Sequence, residues 1–111
     1  MERLIEYCLS KPGASKEYPF GPDPLVMKAG GKMFAVFGDD SISLKCEPML
    51  AADLRDRHEA VVPGYHMNKK HWNTVYWNRD LDDEDLQGMI DHSYELVVAG
   101  LSKAARMKLS E

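Results

Sequence analysis

Leu25-Val26-Met27-Lys28-Ala29-Gly30-Gly31-Lys32-Met33-Phe34-Ala35-Val36-Phe37-Gly38-Asp39-Asp40-Ser41-Ile42-Ser43-Leu44-Lys45-Cys46 is the stretch that decides the fold. Two apolar runs, residues 25–29 and 32–37, meet at Gly30-Gly31. A tight turn between antiparallel strands needs positive φ, which glycine adopts without a Cβ penalty, so the pair predicts a hairpin. Gly38-Asp39-Asp40 predicts a second turn. From Ser41 to Cys46 the chain alternates, with Ile42, Leu44 and Cys46 on one side and Ser41, Ser43 and Lys45 on the other. That period of two belongs to a strand with one buried face. The three runs predict an antiparallel meander with Lys28 and Lys45 on its wet face.

Towards the N-terminus, Leu4, Ile5, Cys8 and Leu9 recur at helical spacing, and Lys11-Pro12-Gly13 ends that helix. Residues 17–24 hold three prolines and a glycine and read as an ordered loop, with Tyr18 and Phe20 expected to tuck onto the core. Towards the C-terminus, Pro48 suits the first position of a helix with Met49, Leu50 and Leu54 as its apolar stripe, ending near His58. Asn68 is expected to cap one turn through His71, and Thr74–Trp77 has the β character of a further strand. Asp82 to Asp85 opens a last long helix, where the helix dipole favours negative charge. Leu86, Met89, Ile90, Tyr94, Val97, Val98 and Leu101 form its stripe, Gly100 breaks it, and Ser102 caps a final turn. The order α-β-β-β-α-β-α, an antiparallel meander with helices on one face, describes a single α+β domain over residues 1–111.

One hundred and eleven residues suffice for one core and not for two. No apolar run approaches the ~20 residues that cross a bilayer. The acidic N-terminus does not read as a signal peptide, so no membrane partner is expected and the cytoplasm is the expected compartment. Cys8 and Cys46 lack any CxxC spacing and read as small buried residues.

The formal charge is −4, which argues against a strong nonspecific nucleic-acid binder. Its distribution is uneven. From Ala60 to Arg79 there is no acid, and Lys69, Lys70 and Arg79 give +3 against −7 on the rest of the chain. The same stretch holds both tryptophans, along with His66 and His71. Lysines can contact phosphate, His66 and Asn68 can donate hydrogen bonds, and Tyr65 or Trp72 can stack on a base. These residues equally suit a structural role, with Trp72 and Val75 in the core, His71 on a buried carbonyl and the lysines solvated.

Enzymatic motifs are missing. There is no GxSxG, no P-loop and no dinucleotide fingerprint, and His66 and His71 are five apart, unlike HExxH. No catalytic residues, metal site or cofactor are therefore expected, and a monomer is. The acidic run lacks the DxDxDG pattern of a calcium loop.

Several blocks resemble the YjbR/MmcQ family: Cys8-x-x-Lys11-Pro12-Gly13-Ala14, Phe20-Gly21, Ser43-Leu44-Lys45-Cys46, His66-Met67-Asn68-Lys69-Lys70-His71-Trp72-Asn73-Thr74-Val75 and Ser93-Tyr94-Glu95-Leu96-Val97. The resemblance spans the chain in order. It implies a frataxin-like, double-wing α+β fold and a non-enzymatic DNA-binding role. Carried over by position, the implied contacts are Lys28, Lys45, His66, Asn68, Lys69, Lys70, His71 and Trp72. The competing expectation is a module for a small anionic ligand or a protein partner, with a concave pocket lined by Tyr65, His66, His71 and Trp72. Iron binding is not carried over, because the first helix has only Glu2 and Glu6 as acids.

Overall fold

The computed structural model describes residues 1–64 and 67–109. Helix α1 (Glu2–Leu9) is followed by strands β1 (Ala14–Glu17), β2 (Leu25–Ala29), β3 (Lys32–Phe37) and β4 (Ser41–Lys45). Then come α2 (Pro48–Arg57), β5 (Val61–Pro63), β6 (Trp72–Tyr76), α3 (Asp83–Ala99) and α4 (Lys103–Leu109). The strands form one sheet in the order β1-β2-β3-β4-β6-β5, every neighbouring pair antiparallel.

The meander forms where the glycines and the alternation predict it. Gly30 and Gly31 take φ of 59° and 80°, the left-handed pair of a tight hairpin turn. Two strands were not anticipated. β1 reads Ala-Ser-Lys-Glu, which has no β-branched residue, and β5 is only three residues ending in proline. Both are edge strands, held by a neighbour's ladder rather than by their own propensity.

The sheet has two unlike faces. Leu25, Met27, Ala35, Phe37, Ile42, Leu44 and Val75 face the helices and join Leu4, Ile5, Cys8, Leu86, Ile90 and Val97 in one core. Helix α3 lies across β3 and β4, and α2 sits over β5 and β6. Asp82 caps α3 in a reciprocal capping box with Asp85, as the acidic run predicts. Glu47 caps α2 through the amides of Met49 and Leu50, which hold its carboxyl below the usual range.

The β2–β3 register slips between Met27 and Lys28, so Phe34 is the extra residue of a bulge. Its carbonyl accepts a 2.6 Å hydrogen bond from the Ser93 hydroxyl, which itself accepts from the Lys45 amide at 2.9 Å. Buried Ser93 thereby satisfies two strands from α3. Phe34 meets Tyr94 edge-on at 5.4 Å.

Four side chains depart from the sequence reading. Met49 is 81% exposed, because α2 turns Ala51 rather than Met49 to the core. Tyr18 and Phe20 are also exposed: Phe20 lies over the sheet face away from the helices, and Tyr18 borders the hollow beside the N-terminus. Leu9 is largely exposed at the end of α1. No helix among the described residues is long and apolar enough to cross a membrane.

Candidate functional site

The sheet face opposite the helices carries Lys28 and Met33 at one cross-strand position, Val36 and Ser43 at another, and Lys45 and Trp72 at a third. Strand alternation puts them there on β2, β4 and β6, and on β3 the extra residue Phe34 returns Met33 to the face that Val36 occupies. This face is not simply wet. Val26 is fully buried, and Ser43 and Thr74 are 8% and 3% exposed, with their hydroxyls 2.9 Å apart.

At one end of this face, Lys28, Lys32 and Lys45 line a concavity of about 480 Å³ together with Trp72, Met33 and Phe20. It forms where β3 begins, β4 ends and β6 begins, and the C-terminal turns of α3 close it through Leu96, Val97 and Gly100. No described lining residue is acidic. The nearby acid is Glu17, whose Oε1 lies 3.4 Å from Lys28 Nζ. Two of the three ammonium groups are therefore left without that compensation. Three like charges in one concavity raise the local concentration of anions.

The turn that precedes β6 is fixed mainly by backbone bonds. The Asn68 side chain accepts from the Lys70 amide, the His71 amide donates to the Asn68 carbonyl, and the His71 carbonyl accepts from the Cys46 amide. Arg55 Nη1 donates to the Lys69 carbonyl at 3.2 Å and to Asn73 Oδ1 at 2.7 Å, tying the turn to α2. The expected cap at Asn68 is thus a side-chain-to-backbone turn.

The structure brings together Lys28, Lys45 and Trp72 among the expected site residues. Asn68, Lys69, Lys70 and His71 are exposed on the adjoining turn and do not line the concavity. Lys69 Nζ reaches back to the Gly64 carbonyl at 3.5 Å. Tyr65 and His66 lie outside the described residues. Lys32, Met33 and Phe20 line the concavity although none of them was expected as a site residue, Phe20 having been expected in the core. An aromatic in a proline-rich loop and a lysine after a Gly-Gly turn were the available signals, and neither says which face it joins.

No serine, threonine or cysteine is among the described residues that line this concavity. Cys8 is buried in the core, which pushes its thiol up to about 12, and burial raises Cys46 as well. Among the described residues, no three His, Cys, Asp or Glu side chains gather closely enough to hold a metal ion.

The chain is 40% identical over 106 residues to the uncharacterised protein YbdF of Escherichia coli O157:H7, covering 92% of this chain and 87% of that one. It is 34% identical to the uncharacterised protein YjbR of Escherichia coli K12, covering 98% and 96% of the two chains. A crystal structure of a Deinococcus radiodurans protein with the domain DUF419 superposes with a TM-score of 0.89 at 35% identity, covering 97% of this chain and 86% of that one. The family model YjbR matches residues 9–96, and the chain belongs to the YjbR family.

Proposed function

We propose that this protein is a non-catalytic binding module for an anionic ligand, held at the concavity of Lys28, Lys32 and Lys45. The observation that carries the reading is the meeting of three lysines, an indole and an exposed phenyl ring in one acid-free hollow. Ammonium groups bind phosphate or carboxylate as point charges, and aromatic faces accept a planar ring. At about 480 Å³ the hollow has the size of a small-molecule site.

A second reading, DNA binding, is favoured by exposed Lys69 and Lys70 on the turn that leads into Trp72. A single strand could place a base in the hollow and a phosphate on that turn. The calorimetric titration that separates the readings uses an adenine mononucleotide and a single-stranded oligonucleotide. The variants are Lys32→Ala/Lys45→Ala and Lys69→Ala/Lys70→Ala. The small-ligand reading expects mononucleotide binding that the first variant abolishes and the second leaves intact. The DNA reading expects oligonucleotide binding alone, with a log–log salt slope reduced by up to ~2 in the second variant. Absence of binding to either probe at low salt overturns both.

A further inference from the structure

The lysine hollow does not end at Phe20 and Met33. Both residues also wall a second space of about 540 Å³ further along the same sheet face. Its other walls are Pro24, Val36, Met67 and Tyr76, and its floor includes the buried Ser43–Thr74 hydroxyl pair. None of its described lining residues carries a charge.

This segregation sets the sheet face apart. The cleft between α2 and α3 mixes Lys45 and Arg57 with Glu84 and Asp85, and the hollow beside the N-terminus mixes Lys16 with Glu2, Asp23 and Asp39. On the outer sheet face the positive charges sit at one end and an uncharged, mainly apolar trough adjoins them. A fully charged ligand would desolvate at a loss in the trough, and a fully apolar one would leave the Lys32 and Lys45 ammonium groups without an anion.

We infer that the ligand is a small amphiphilic anion, with its phosphate or carboxylate head at Lys28, Lys32 and Lys45 and an apolar tail along Val36, Met67 and Tyr76. The inference rests on the anion-binding reading and adds the chemical class of the rest of the ligand. The outer sheet face then reads as a two-part site, a cationic head pocket and an apolar trough. Phe20 and Met33 border both parts and meet the ligand where head and tail join.

The test is calorimetry with monomeric n-alkyl phosphates of increasing length, inorganic phosphate serving as the headgroup alone. Affinity should rise about fourfold per added methylene, the gain from burying one CH₂ group, and then level off when the trough is full. Met67→Glu puts a carboxylate in a loop position of the trough and should abolish the length dependence while short phosphates still bind. Val36→Thr, nearly isosteric and on the same wall, should weaken it several-fold without threatening the fold. Lys45→Gln should weaken every member of the series.

Short phosphates that bind with no length dependence overturn the amphiphile and leave the anion site standing. A length dependence untouched by both Met67→Glu and Val36→Thr places the tail elsewhere and also overturns it. No binding by any member, inorganic phosphate included, overturns the anion reading itself. Binding to phosphatidic acid vesicles without binding to monomeric alkyl phosphates assigns the surface to a membrane and overturns the inference.

Discussion

Lys45 and Trp72 stand directly across from one another on β4 and β6, on the sheet face turned away from the helices. The pair places a cation beside an indole at the mouth of the lysine hollow. Its two members make separable contributions. Lys45→Gln removes the charge and keeps much of the stem, so affinity for both inorganic phosphate and a mononucleotide should fall about tenfold, the loss of one charge-assisted hydrogen bond. Trp72→Leu should weaken the mononucleotide about tenfold, through lost stacking, and leave phosphate binding unchanged. Calorimetry on both ligands checks the split.

Ser93 joins α3 to the strand that carries Lys45. Ser93→Ala leaves the Phe34 carbonyl and the Lys45 amide without the buried hydroxyl they share. Destabilisation should reach about 2–3 kcal/mol by urea denaturation, more than an ordinary hydrogen bond contributes, because a buried carbonyl and a partly buried amide lose one partner together. Ser93→Cys, with a larger and weaker donor, should fall between wild type and alanine.

Asp91 on α3 receives the Tyr7 hydroxyl and the Lys11 ammonium from the N-terminal segment. Burial pushes its carboxyl up, but hydrogen bonds from Lys11 and Tyr7 and the Lys11 charge outweigh that and hold it below its ordinary value. A carboxyl depressed in the folded state stabilises above its unfolded value, about 3.9, and that contribution is lost as pH falls through the folded value. Wild type should therefore lose stability below about pH 4–5 more steeply than Asp91→Asn. The difference should stay under about 1 kcal/mol, because the pair is partly exposed and screened. Thermal melts across that pH range measure it.

The two turn glycines should respond unequally. An added Cβ at Gly31 meets nothing within 4 Å, whereas one at Gly30 would lie 2.6 Å from the Leu101 side chain. Gly31→Ala should cost about 1–2 kcal/mol, the left-handed backbone penalty alone. Gly30→Ala should cost more, since Leu101 is buried and must shift as well. Denaturant midpoints of the two variants give the comparison.

Both thiols should resist alkylation. Cys8 has a thiol pushed up to about 12, and Cys46 is raised by burial and by the nearby Glu47 charge. Iodoacetamide at neutral pH should modify neither over hours in the native protein and both within minutes in denaturant, followed by mass spectrometry.

Local signals were strong enough to be read along the chain. Gly30-Gly31 supplies without strain the positive φ that a two-residue hairpin turn requires, and the Ser41–Cys46 alternation has one period that suits one buried face. The acidic run at Asp82–Asp85 finds its helix dipole in the same few residues. The candidate site was legible only in part. Lys28, Lys45 and Trp72 were named, but the exposed lysine pair that dominates the composition lies beside the hollow rather than in it.

By itself the sequence determined the meander, the capped helices, the family and which residues of β2 and β4 share a face. These depend on dihedral preferences and on periods of 2 and 3.6 residues, which act over a few positions. Tertiary structure alone decided that β6 crosses to lie beside β4, which sets Trp72 opposite Lys45 although 27 residues separate them in the chain. It also decided that Phe20 and Met67 flank the outer sheet face from distant loops. Such neighbours are chosen by the burial of a whole core, and no local stretch of chain carries that information.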